Sequence, residues 1–210
     1  MELGVDHKTV LNHLHKAGYK KKLDVWVPHE LSAKNMIDRT NICDALLKRN
    51  EIEPFLKRVI TAITSVHEAR IDVEKVGQTI DSQLYCGQLE RLRQAIERKR
   101  PELNNRKGVV FHHDNARPHT SLMTRQKLRE LGWEVLMHPP YSPDVAPSDY
   151  HLFRSLQNSL NGIKLLSKEA CEKHLIQFFN QKPQKLFTDG IMALPEKWRN
   201  IVDNNGAYLI

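Results

Sequence analysis

The chain has 210 residues, 40% of them hydrophobic and 27% charged, a balance that excludes disorder along the whole length and points to a folded core. Lys and Arg number 32 against 25 Asp and Glu, and the formal net charge of +7 favours polyanionic partners over acidic proteins. Cys43, Cys86 and Cys171 lie far apart and form no C-x-x-C pair, which speaks against a disulfide framework or a cysteine zinc site and for a reducing compartment. Glu2, Asp6 and Lys8 fall where a secretory leader needs an apolar core, and no apolar run reaches about eighteen residues, so neither secretion nor membrane spanning is expected.

Residues 7–22 carry Lys8, Lys16, Lys20, Lys21 and Lys22 and no carboxylate, which makes the local field positive. Asp6 as N-cap, Val10, Leu14 and Ala17 at helical spacing and Gly18 just beyond predict a short amphipathic helix over 7–17. Its other face holds Lys8, Thr9, Asn12, His13 and Lys16. These side chains hydrogen-bond base edges and phosphates, so the segment suits the recognition helix of a helix-turn-helix; a solvated surface helix is the alternative. Residues 19–31, with Trp26 and Pro28, read as an extended linker, after which Ser32 caps a helix to about Asn50. Residues 55–63 have the β-branched density of a buried strand. A helix with Leu84, Leu89, Leu92 and Ile96 on one face runs from 81 to 100 and ends at Pro101. A strand over 109–111, a helix over 120–131 closed by Gly132, and a second strand over 133–137 follow. Residues 139–147 form a proline-rich loop, Ser148 caps a helix beginning with Asp149, and the remainder is helical, with segments near 168–180 and 195–203. This alternation predicts an α/β layer with parallel strands.

Ligands of open parallel sheets sit beyond the carboxyl ends of the strands, where Asp114 follows the 109–111 run and Asp149 opens the helix after the next strand. Two carboxylates at one sheet edge repel unless a cation lies between them, and hard oxygen donors select Mg²⁺ or Mn²⁺ over zinc. The plainer alternative is that one aspartate caps a turn and the other complements a helix dipole. Ser, His and Cys show no nucleophile constellation.

At these residues the chain resembles the mariner-type transposases. His113-Asp114-Asn115-Ala116-Arg117-Pro118-His119, Pro139-Pro140-Tyr141-Ser142-Pro143-Asp144 and Ala146-Pro147-Ser148-Asp149-Tyr150-His151-Leu152-Phe153 are similar to that family's catalytic signature, with its 34 residues between Asp114 and Asp149. Trp26, Val27, Pro28, His29, Glu30 and Leu31 resemble its linker and dimerisation motif, and Leu194-Pro195-Glu196-Lys197-Trp198 also fits. The likeness covers nearly the whole chain except about residues 62–78. It implies an α/β chain in three parts: a partial DNA-binding unit over 1–22, using Lys8, Thr9, Asn12, His13, Lys16, Lys20, Lys21 and Lys22; a linker over 23–54; and a ribonuclease-H-like catalytic domain over 55–210. It also implies Asp114 and Asp149 as catalytic residues holding Mg²⁺ or Mn²⁺, transposon terminal repeats as the DNA partner, a homodimer, and a nuclear site.

The chain departs from the family at the first catalytic aspartate, which belongs to a T-x-D-E-K-W motif. Here Thr61 is followed by Ala62 and Ile63, so Ile63 stands in that position, and the likeness resumes only at Gln78-Thr79-Ile80. The resemblance therefore implies a copy with strands lost from its sheet and with the first DNA-binding unit missing ahead of Met1, or a gene model with a skipped exon. Three functional readings follow: a DNA-binding protein with impaired cleavage, an active nuclease with Glu68, Asp72 or Glu74 standing in, or a non-functional relic.

Overall fold

The structure is a computed structural model that describes residues 19–22, 25–28, 30–61, 80–103 and 108–209. The helix expected over 7–17, with Lys8, Thr9, Asn12, His13 and Lys16, lies outside the described residues, as do His29 and Ile63. Strands β1 (Tyr19–Lys22) and β2 (Val25–Pro28) pair antiparallel, Tyr19 opposite Pro28 and Lys22 opposite Val25. The stretch expected as a linker is thus a paired hairpin that includes Lys20, Lys21, Lys22, Trp26 and Val27, and the expected boundary at 22/23 falls between its strands. Single-sequence reading saw extended residues there but not their partner.

Helix α1 (Ala33–Ile52) starts at a full capping box, with Ser32 Oγ accepting from the Asn35 N–H while the Asn35 side chain accepts from the Ser32 N–H. A 3₁₀ turn (Leu56–Arg58) takes the first half of the run expected as strand, because the Arg58 N–H donates back to the Phe55 carbonyl at 2.8 Å. Among the described residues of that run, β3 (Val59–Thr61) is the extended part. Helix α2 (Ser82–Lys99) is capped by Asp81 and turns Tyr85 rather than Leu84 inward, along with Leu89, Leu92 and Ile96. Strand β4 (Val110–His112) leads to a short helix α3 (Arg117–Thr120) and to α4 (Leu122–Glu130). The expected single helix over 120–131 is split because the Ser121 hydroxyl accepts from the Thr124 N–H and starts a new helix. Gly132 closes α4 with φ +67, and β5 is only Glu134–Val135. Helices α5 (Arg154–Leu160), α6 (Lys168–Gln181), α7 (Gln184–Met192) and α8 (Leu194–Asp203) complete the described chain.

Strands β3, β4 and β5 form one parallel sheet in that order, with Val59 opposite Val110 and Phe111 opposite Val135. Strand alternation sends successive side chains to opposite faces. Val59 and Val110 join Cys43, Leu46, Phe55, Trp198 and Ile201 in a core under α1 and α8. Ile60, Val109 and Phe111 join Tyr85, Leu89, Leu92, Ile96 and Leu128 in a core under α2 and α4. Helices thus cover both faces, which is why β3 and β4 read as unbroken apolar runs. A third cluster, Leu152, Phe178 and Phe179, packs α6 beside the segment that carries Asp149.

Candidate functional site

Strand β4 runs out at buried His112 and His113 and delivers Asp114 to the surface at the carboxyl end of the sheet. The Asp114 Oδ1 atom accepts from the Ala116 N–H at 3.0 Å and from His119 Nδ1 at 2.5 Å. The hydrogen bond from His119 holds its carboxyl down to about 2. His119 is ringed by Tyr85, 4.1 Å between centroids, and by His113 at 5.3 Å, and Tyr85 shares a 3.0 Å hydrogen bond with His113 Nδ1. On the other flank His112 and His138 share a ring-to-ring hydrogen bond at 3.2 Å, and the Asn115 amide donates to the His138 carbonyl at 2.9 Å, tying the ends of β4 and β5 together. Burial keeps these rings neutral, pushing His112 down to about 3 and His113 and His138 down to about 4. A crevice of about 860 Å³ opens beside them between α4 and β5, with His119, Asn115, Arg125, Arg129 and Trp133 in its wall.

Asp149 arrives differently from the sequence expectation. Ser148 is not an N-cap: it is the first residue of a π-helix (Ser148–Phe153), and its hydroxyl donates to Asp149 Oδ2 at 3.3 Å. Wide π turns are rare and re-aim the side chains they carry. This one is braced from below, the Tyr150 hydroxyl donating to the Gly190 carbonyl, Lys197 Nζ lying 4.1 Å over the Tyr150 ring, and His151 packed so closely on Gly190 that a Cβ there would meet its Cδ2 at 3.0 Å. Desolvation of the Asp149 carboxyl pushes it up to about 6, and the charge of Asp114 adds to the rise.

Sequence reading missed what holds the proline-rich loop. Arg39 is fully buried and donates to five acceptors: Asp144 Oδ1 and Oδ2 at 2.8 and 2.6 Å, Ser142 Oγ at 2.7 Å, and the carbonyls of Gly206 and Ala207 at 2.7 and 3.1 Å. All five guanidinium N–H groups are used. Asp144 also accepts from the Leu209 N–H at 3.0 Å, so helix α1, the loop leading to Asp149 and the C-terminal tail meet at one ion pair. The signal was present: Arg39 stands on the same helical stripe as buried Cys43 and Leu46, where a charge needs a partner.

Asp114 and Asp149 are hard oxygen donors whose charges oppose each other, a pair chemically suited to Mg²⁺ or Mn²⁺. Among the described residues no three of His, Cys, Asp and Glu converge into a metal cage. Glu30 and Leu31, of the linker motif, lie just ahead of the α1 cap and away from the carboxylates in sequence.

Parallel strands covered on both faces by helices, with Asp114 just beyond the carboxyl end of the middle strand, define a ribonuclease-H-like α/β domain. The Mos1 mariner transposase of Drosophila mauritiana is 34% identical over 250 residues, covering 99% of this chain and 72% of its own length. The human histone-lysine N-methyltransferase SETMAR is 35% identical over 248 residues; the chain spans 36% of that protein's length. Among solved structures, the catalytic domain of Mos1 superposes with a TM-score of 0.78 at 36% identity, covering 88% of this chain and all of that one. A Mos1 paired-end complex with Mg gives 0.77 at 32% identity, over 98% of this chain and 72% of that one. No protein-family model matches the chain. The chain belongs to the mariner transposase family.

Proposed function

We propose that this chain is a mariner-transposase-derived protein that binds transposon-end DNA as a homodimer and whose metal-dependent strand cleavage is impaired. The observation that carries the impairment is Ile63, a hydrocarbon side chain where the family's first carboxylate belongs. The lengths support it: the alignment with Mos1 runs over 250 positions against 210 residues here, so about 40 positions of the relative face nothing in this chain. Two-metal transfer would call for a further carboxylate beside Asp114 and Asp149 to hold the second ion, and Ile63 supplies none. Those two would hold the Mg²⁺ or Mn²⁺ that the Mos1 complex with Mg suggests. When bound, such a cation activates an attacking hydroxyl and stabilises the oxygen that leaves a phosphodiester.

The DNA partner is supported by the paired-end complex of the Mos1 relative and by the carboxylate-free basic stretch over 7–22, with Lys8, Lys16 and Lys20–Lys22 as phosphate contacts and Thr9, Asn12 and His13 at base edges. The paired-end state of that relative likewise supports the dimer, with Trp26–Leu31 as the joining motif. A nuclear site goes with such a substrate, and imaging of a tagged chain tests it. Cleavage is tested with purified protein and a mariner-type terminal repeat in Mg²⁺ or Mn²⁺. The expected outcome is binding without nicking above background. Metal-dependent nicking that vanishes in Asp114→Asn overturns the impairment and makes Asp72 the first substitute carboxylate to mutate.

A further inference from the structure

We propose that His119 is the positioning residue of the cation site: its Nδ1–H fixes Asp114 through Oδ1 and leaves Oδ2 as the free ligand atom. This rests on the reading above that Asp114 and Asp149 hold a divalent cation. The Asp114 side chain is 58% exposed, and an exposed carboxylate ordinarily samples several rotamers. Here Oδ1 is held twice, by the Ala116 N–H and by His119 Nδ1, whereas no hydrogen bond engages Oδ2 among the described residues. An ionised carboxylate only accepts, so the proton in the second contact belongs to Nδ1.

The His119 ring is itself held. It lies against the Tyr85 ring at 4.1 Å and nearly parallel to the His113 ring, 10° between planes at 5.3 Å, and the Tyr85 hydroxyl is hydrogen-bonded to His113 Nδ1. Tyr85 is buried on α2 and His113 is buried just beyond β4, so the stack carries the rigidity of the core out to an exposed ligand. Partners of this kind set a ligand's direction before the cation arrives, which lowers the ordering cost of binding.

The test measures Mn²⁺ binding to the full chain by electron paramagnetic resonance. His119→Phe keeps a ring for the stack and removes the donor; His119→Asn keeps an N–H near the Nδ1 position and removes the ring. Affinity is expected to fall about ten- to a hundredfold in His119→Phe and to stay within about threefold of the parent in His119→Asn. Parent-like binding by His119→Phe, where binding still disappears in Asp114→Asn, overturns the role of His119 alone. A parent protein with no Asp114-dependent Mn²⁺ binding overturns the cation site and this inference with it. Nitrogen chemical shifts of His119 in the unvaried protein supply a reading that needs no folded variant: Nδ1 protonated is expected, and a neutral ring protonated only at Nε2 refutes the contact.

Discussion

Asp114 follows β4 and Asp149 lies in the π-helix, and their surroundings pull their titration in opposite directions. The His119 hydrogen bond lowers Asp114 to about 2, and desolvation with the Asp114 charge raises Asp149 to about 6. A carboxyl raised in the folded state keeps a proton that the unfolded chain has already lost. Its contribution to stability is therefore present below the unfolded pKa and lost as pH rises toward 6. Cation binding needs the ionised form, so Mn²⁺ affinity is expected to rise about tenfold from pH 5 to pH 7 and then level off. Asp114→Asn should bring the Asp149 titration down toward the ordinary carboxylate range. Carboxyl carbon shifts followed by NMR check both statements, and an Asp149 that titrates near 4 with Asp114 intact refutes them.

Among elements, the decisive contact is the one that ties α1 to the loop ahead of Asp149. Arg39 and Asp144 are both buried and satisfy each other, with Gly206, Ala207, Ser142 and Leu209 as the remaining partners. Removing one member strands a buried charge, so Arg39→Met is expected to lower the unfolding free energy by about 3–5 kcal/mol in urea titration, whereas Arg39→Met combined with Asp144→Leu should recover much of the loss. Equal losses in single and double variants would show that shape, not charge, holds the junction. The tail is fitted as closely. Gly206 has φ +83, and a Cβ on it would lie 2.2 Å from the Met36 carbonyl oxygen, so only glycine lets the chain turn over α1 and offer its carbonyl to Arg39.

For the whole molecule, the net charge of +7 becomes informative only where it is concentrated. If the stretch over 7–22 carries DNA binding, affinity should fall steeply between about 50 and about 200 mM salt, and neutralising Lys20, Lys21 and Lys22 together should reduce the slope of log K against log salt by up to about 3. Fluorescence anisotropy with labelled duplex measures this. A flat salt response, or an unchanged slope in the triple variant, removes the segment as the source of binding.

The three parallel strands, their order through β4, the helices over α1, α2 and α8, and Asp114 just past the end of β4 were legible in the sequence. Apolar runs, stripes at helical spacing and Ser32 or Asp81 as caps are local signals that need no partner. Legibility stopped where a residue's state depends on what its backbone bonds to or its side chain packs against. The hairpin of Lys20–Lys22 with Val25–Val27 needs a pairing strand, the 3₁₀ turn before β3 needs a carbonyl to bond to, and the π-helix under Asp149 needs Gly190 and Lys197 beneath it. The same holds for the site. Composition and spacing named Asp114 and Asp149, but only the tertiary structure decided that His119 and Tyr85 orient the first, that desolvation sets the second apart, and that Asp144 in the same motif serves the fold, because hydrogen bonding and the loss of water are properties of what is packed around a side chain.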